Sequence, residues 1–218
     1  MIHAVVFDLD GVIVSTDEFH YAGWKRLADE ENIYFNHRIN DRLRGVSRME
    51  SLEILLEQAS RIYSDEEKQN LAAKKNEYYR QMLNMLSPAD ILPGVHGFLA
   101  ELKQFGIKSA IASSSKNTPA ILERIGMTNS FDAIADGNDI LRSKPDPEVF
   151  LLAAHRLNIR PEYCLVVEDA TAGVEAALNA GMKVLAVGQA RFDSRASCHA
   201  QDLSTVNFST LKSLCWSS

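Results

Sequence analysis

The chain has 218 residues, 46% of them hydrophobic and 24% charged, with a formal net charge of −6. This length permits one large domain or a core with an insert, and the apolar share is ample for a packed interior. An acidic balance argues against a nucleic-acid partner, which calls for a basic surplus, and no apolar run approaches the length of a membrane span.

The chain opens on the apolar run Ala4–Phe7, which predicts a buried strand, with no basic leader segment before it. A cytoplasmic protein is expected on that basis. The strand delivers Asp8-Leu9-Asp10-Gly11 at its carboxyl end, where ligands of open α/β sheets collect. Two aspartates two residues apart can divide phosphoryl transfer between them, one attacking phosphorus and the other moving a proton. Alone the motif also fits a solvated acidic turn.

From about residue 15 to 87 the pattern is helical only. Helices are predicted over 19–28 and 47–59, and a third runs from the capping sequence Ser64-Asp65-Glu66-Glu67 toward Leu86. The stretch reads as a four-helix insert. Within it, Arg44-Gly45-Val46-Ser47-Arg48-Met49-Glu50-Ser51 leads from a glycine loop into a helix N-terminus. Amide groups there favour anions, and an arginine fork matches phosphate; an ordinary capped helix is the plainer alternative.

The alternation of strand and helix then resumes. Strands are predicted over 107–112, 165–167 and 184–187, with helices starting at Pro93-Gly94, Thr118-Pro119, Asp146-Pro147 and Thr171. A further short strand is expected over 205–208 and a last helix over 210–215. The strand 107–112 ends in Ser113-Ser114-Ser115-Lys116-Asn117, and the strand 165–167 ends in Glu168-Asp169. Lys144 sits in a separate loop, Ser143-Lys144-Pro145. Hydroxyl and ammonium groups suit phosphate oxygens, and the acids suit Mg²⁺. Arg44, Arg48, Lys75, Lys116 and Lys144 would form a local basic cluster in an acidic chain. The three cysteines, Cys164, Cys198 and Cys215, show no metal-ligand spacing and suit a reducing compartment.

The four motifs Asp8 with Asp10, Ser113, Lys144, and Glu168 with Asp169 resemble those of the haloacid dehalogenase superfamily of phosphotransferases. The resemblance covers the chain to about Gly188. It implies a Rossmann-like parallel-sheet α/β core, residues 1–14 and 92–218, with an inserted four-helix cap, residues 15–91. It implies Asp8 as nucleophile through an aspartyl-phosphate and Asp10 as general acid and base. Ser113 and Lys144 would bind the transferring phosphoryl group, with Ser114 and Lys116 as neighbouring donors. Mg²⁺ would be held by Asp8, the main-chain carbonyl of Asp10, Asp169 and Glu168.

Further pieces resemble the hexose-phosphate mutases of that superfamily: His20 with Trp24, Gly45-Val46-Ser47-Arg48 with Ser51-Leu52, Lys75-Asn76, and Ser115-Lys116-Asn117. By that likeness Arg48, Ser115 and Asn117 bind a second, non-transferring phosphate. Trp24, Gly45, Val46, Ser47, Arg48, Ser51 and Lys75 contact or enclose the sugar. Thr16 and His20 link cap closure to Asp10. Read as residues alone, Trp24 also fits a core aromatic and His20 a plain helix position. The likeness implies Mg²⁺-dependent interconversion of β-D-glucose 1-phosphate and D-glucose 6-phosphate through glucose 1,6-bisphosphate, by a monomer acting on small sugar phosphates. The alternative is a sugar-phosphate phosphatase with the same aspartate chemistry.

Overall fold

The computed structural model describes residues 2–215. Six strands form one parallel sheet: β1 (Ala4–Phe7), β2 (Lys108–Ala112), β3 (Ala133–Ala135), β4 (Cys164–Glu168), β5 (Lys183–Ala186) and β6 (Cys198–His199). Their spatial order is β3-β2-β1-β4-β5-β6, every neighbouring pair parallel. The chain therefore leaves the central strand β1 in one direction, then returns to build outward on its other side. That reversal opens a crevice beside β1 at the carboxyl ends of the strands.

Both faces of the sheet are covered, which is why its central strands read as unbroken apolar runs rather than alternating ones. Successive side chains of β1 still divide between the faces. Val5 and Phe7 join a core with Val95, Phe98 and Leu102 of the helix Val95–Gln104, Ile121 and Leu122 of the helix Thr118–Arg124, and Phe208 and Leu211 of the terminal helix Phe208–Cys215. Ala4 and Val6 join a second core with Val149, Phe150 and Ala153 of the helix Glu148–Leu157, and Val174, Ala176 and Ala177 of the helix Thr171–Asn179.

Between β1 and β2 the chain makes a helical excursion. In chain order its helices are α1 (Asp17–Glu30), α2 (His37–Asp41), α3 (Arg48–Leu56) and α4 (Asp65–Leu83). The helices that flank the sheet follow as α5 (Val95–Gln104), α6 (Thr118–Arg124), α7 (Glu148–Leu157), α8 (Thr171–Asn179) and α9 (Phe208–Cys215). Complete capping boxes open α3 (Ser47 with Glu50) and α4 (Ser64 with Glu67). The excursion has a core of its own, around Trp24, Leu27, Phe35, Leu52, Leu55 and Leu71. The two chain crossings between this unit and the sheet run side by side. Val14 bridges Ile91, and the Leu92 amide donates to the Ile13 carbonyl at 2.9 Å.

Three expectations are corrected. Residues 205–208 form no strand: a 3-10 turn, Leu203–Thr205, is capped by the Asp202 side chain, and α9 then starts at Phe208. The sixth strand is instead the two-residue β6, and β3 is too short to stand out as an apolar run. The α4 helix stops at Leu83, short of Leu86. The reading of the cysteines as a reduced set holds for Cys164, which is free and buried, but not for Cys198, which is disulfide-bonded.

Candidate active site

The crevice beside β1 and the helical unit enclose a cavity of about 1020 Å³. Asp8 and Asp10 lie in its wall, with residues 113–117, Lys144 and Asp169 from the core. The helical unit contributes residues 45–51, His20, Trp24 and Lys75. Two expected site residues stand behind this wall. Glu168 is fully buried behind Lys144, and Thr16 is buried behind Asp10.

Local backbone geometry explains the placement of the acids. Asp8 follows β1 directly, and its amide continues the ladder to the Val167 carbonyl at 3.0 Å. Gly11 turns the chain at φ +84°, and a Cβ there would lie 2.1 Å from Asp169 Oδ2. Glycine is therefore required both for the turn and for the close approach of Asp169. Glu168 ends β4, next to β1 in the sheet, and Asp169 follows it directly.

Lys144 Nζ donates to Asp8 Oδ1 at 2.5 Å and to Glu168 Oε2 at 2.8 Å. Burial alone would lower this lysine, but Asp8 and Glu168 hold it charged, above its ordinary value. Asp8, Glu168 and Asp169 each present a carboxylate oxygen within 4.8 Å of the others, all buried. Burial pushes Glu168 up to about 7, with Lys144 opposing and Asp8 adding to the shift. Burial, then Glu168 and Asp8, push Asp169 well above its ordinary value. Three clustered carboxylates thus exceed the charge that Lys144 supplies. Such hard oxygen donors suit a divalent cation. The Asp10 carboxylate lies outside this group, which leaves its main-chain carbonyl for the ligand role expected of it.

Asp10 belongs to a second network. Its carboxylate accepts from Thr16 Oγ1, and Thr16 Oγ1 lies 2.9 Å from the hydroxyl of Tyr79. His20 Nε2 is 3.9 Å from Asp10, and His20 Nδ1 is 2.8 Å from Lys75 Nζ. Burial raises Asp10 to about 7, against the Thr16 bond and with help from Asp8. Burial, then Lys75, Arg48 and Arg44, hold His20 well below its ordinary value, so the ring is neutral. Burial and Arg48 lower Lys75 to about 7; its Nζ sits 4.8 Å from the ring centres of both Trp24 and Tyr79. Trp24 is therefore a core aromatic of the helical unit and a wall of the cavity at once.

Across the cavity, Ser113 is buried at the end of β2, and its Oγ accepts from the Ser115 amide at 3.1 Å. Ser114 Oγ is buried with no partner. Arg48, Lys75 and Lys116 line the cavity and have no carboxylate partner among the described residues. Arg44 is partnered: it pairs with Asp17 at 2.7 Å and reaches Asp169 at 3.5 Å.

Four contributors draw no role from the sequence: Tyr79, which lies outside every motif, and Asn76, Glu50 and Ser143, which lie within motifs. Asn117 Nδ2 donates to Asn76 Oδ1 at 2.9 Å, and Ser143 Oγ donates to Glu50 Oε2 at 2.7 Å. These pairs join segments far apart in the chain, so spacing could not reveal them. The available hint was that Asn76, Glu50 and Ser143 stand beside Lys75, Ser51 and Lys144 in the sequence.

A buried aspartate bonded to a lysine, with an acid cluster at the ends of parallel strands, suits phosphoryl transfer. The chain belongs to the haloacid dehalogenase-like hydrolase family, whose model matches residues 5–187. It is 45% identical over 188 residues to the β-phosphoglucomutase of Bacillus subtilis, covering 85% of this chain and 83% of that protein. It is 32% identical over 182 residues to the phosphorylated carbohydrates phosphatase of Thermotoga maritima, covering 83% and 82%. The crystal structure of β-phosphoglucomutase from Clostridium difficile superposes with a TM-score of 0.93 at 37% identity, covering 99% of this chain and 97% of that one.

Proposed function

We propose that this chain is a Mg²⁺-dependent phosphotransferase that interconverts β-D-glucose 1-phosphate and D-glucose 6-phosphate through glucose 1,6-bisphosphate. One observation carries this beyond hydrolysis. Besides Lys144, which is bonded to Asp8, the cavity is lined by Arg48 and Lys116, cations with no carboxylate partner among the described residues, and these would serve as a second cationic station. A mutase must hold two phosphates at once; a phosphatase needs to hold only the one it cleaves.

An Asp8 carboxylate oxygen attacks one phosphorus of the bisphosphate, and the bond from that phosphorus to the sugar oxygen breaks. Asp10 donates its proton to the departing oxygen. In the reverse step Asp10 takes a proton from an attacking sugar hydroxyl. A carboxyl group at about 7 populates both forms near neutral pH, as the two steps require. Thr16 orients the Asp10 carboxylate, and Tyr79 fixes Thr16 in turn. Lys144 and Ser113 bind the transferring phosphoryl oxygens. Ser114, with its free buried hydroxyl, adds a donor there. Arg48, Ser115, Lys116 and Asn117 hold the second phosphate. His20, Trp24, Gly45, Val46, Ser47, Ser51 and Lys75 enclose the sugar.

Mg²⁺ held by Asp8, the Asp10 carbonyl, Glu168 and Asp169 would offset the buried negative charge and the charge on the transferring group. Residues 15–91 act as a cap over the core, residues 1–14 and 92–218, and keep water from the aspartyl-phosphate. The chain works as a monomer on small sugar phosphates. No helix among the described residues is long and apolar enough to cross a membrane, and we place the enzyme in the cytoplasm.

The test is phosphorus NMR of the protein with Mg²⁺, β-glucose 1-phosphate and a trace of glucose 1,6-bisphosphate. Glucose 6-phosphate as the main product is expected. Free phosphate as the main product would favour the sugar-phosphate phosphatase instead.

A further inference from the structure

A hydrogen bond with no part in binding phosphate joins the helical unit to the core at the cavity wall. Ser143 Oγ donates to Glu50 Oε2 at 2.7 Å, between residues 93 apart in sequence. The same oxygen accepts from the Ser47 amide at 2.8 Å, and Ser47 Oγ accepts from the Glu50 amide. One carboxylate therefore closes the capping box of α3 and grips the core. The helix it caps begins at Arg48.

The core side of the bond is equally well placed. Ser143 directly precedes Lys144, which holds Asp8 and Glu168. Its loop is anchored independently. The Glu148 carboxylate accepts from the amides of Leu141 and Arg142 at 3.1 and 2.9 Å, and Arg142 pairs with Asp146 at 3.2 Å. The Ser143 hydroxyl is thus presented by a fixed loop to a fixed helix end.

Building on the mutase reading above, we propose that Ser143 and Glu50 are positioning residues that fasten the Arg48 loop onto the Lys144 loop, setting the separation of the two phosphate stations. Neither residue touches a reacting atom. Transfer to a sugar uses both stations together and depends on the bond. Loss of phosphate from Asp8 to water uses one station and does not. Breaking the bond therefore shifts the enzyme from transfer toward hydrolysis.

Ser143→Ala removes the bond and leaves the capping box intact; Ser143→Thr keeps the hydroxyl. Both variants and wild type are given Mg²⁺, β-glucose 1-phosphate and a trace of glucose 1,6-bisphosphate. The ratio of glucose 6-phosphate to free phosphate is read for each. The net worth of one hydrogen bond to a charged acceptor at a solvent-facing site sets the expected drop for Ser143→Ala at roughly three- to tenfold, with Ser143→Thr within about twofold of wild type. A merely structural role would lower both products alike. Small-angle scattering with Mg²⁺ and glucose 6-phosphate should show a larger radius of gyration for Ser143→Ala only. A wild-type product ratio in Ser143→Ala, or equal damage in Ser143→Thr, overturns the proposal. If wild type itself releases only free phosphate, the mutase reading fails. The scattering then decides the bond: equal radii refute it, and a larger radius in Ser143→Ala upholds it.

Discussion

Asp8 is held by a single ammonium group, and its neighbours Glu168 and Asp169 crowd the same space with like charge. Asp8→Asn keeps the shape and removes one of those charges, so the fold should survive while the proposed nucleophile is lost. Turnover should fall below detection, and no phosphoenzyme should form with acetyl phosphate. Near-normal turnover would exclude covalent catalysis at this residue. If Arg48 holds the second phosphate, as proposed, it separates transfer from hydrolysis. A charge-assisted contact is worth about 1.5–3 kcal/mol, so Arg48→Ala should cost at least about tenfold in conversion of β-glucose 1-phosphate. Hydrolysis of acetyl phosphate, which has no second phosphate, should fall much less. Equal losses on the two substrates would assign Arg48 to the fold. Asp8, Asp169 and Arg48 were legible in the sequence because each sits at a strand or helix end, and Lys144 because a lysine in its own loop completes the set of residue types. Tyr79, Asn76, Glu50 and Ser143 were not, because each acts through a partner brought to it only by the fold.

At the scale of elements, the long helices and central strands were legible because each carries its own punctuation. Ser47 and Ser64 cap α3 and α4, β1 is apolar throughout, and β4 is apolar up to its last residue, Glu168. The elements that sequence missed, α2, β3 and β6, are five, three and two residues long and depend on neighbours for their definition. One helix position reverses an ordinary rule. Replacing glycine by alanine inside a helix normally stabilises by roughly 0.5–1 kcal/mol. At Gly173 in α8, a Cβ would lie 2.0 Å from Glu168 Cδ. That carboxylate cannot swing away freely, since it is fully buried and bonded to Lys144 and to the Ala170 amide. Gly173→Ala should therefore lower the melting temperature and weaken Mg²⁺-dependent activity together. An unchanged or raised melting temperature would show that Glu168 has room to move.

On the scale of the whole molecule, an acidic chain gathers Arg44, Arg48, Lys75, Lys116 and Lys144 around one cavity. Of these, Arg48, Lys75 and Lys116 have no carboxylate partner among the described residues, and gathering them costs stability in the free protein that an arriving anion offsets. Lys75 shows this most clearly. It is buried among His20, Trp24 and Tyr79, faces Arg48, and has Asp10 as its nearest opposing charge. Burial and Arg48 lower it to about 7 from an ordinary value of 10.5. Between those two values the unfolded chain binds more protons than the folded one, so this residue makes stability rise with pH. Its cost is full below about pH 7 and gone above about pH 10.5. Lys75→Met removes the charge and keeps most of the length and apolar packing. The variant should melt higher than wild type at pH 6, by at least about 2–4 °C if even 1 kcal/mol is recovered. The difference should shrink steadily as pH is raised toward 10. Asp10 and Glu168 bend the absolute curve of both proteins, so the difference between them isolates Lys75. Adding glucose 6-phosphate at pH 7 should stabilise wild type more than Lys75→Met, since the sugar that Lys75 is proposed to enclose offers its ammonium hydroxyl acceptors. A difference that stays flat from pH 6 to pH 10, or a variant less stable than wild type at pH 6, would mean that Lys75 stays charged in the fold at no cost.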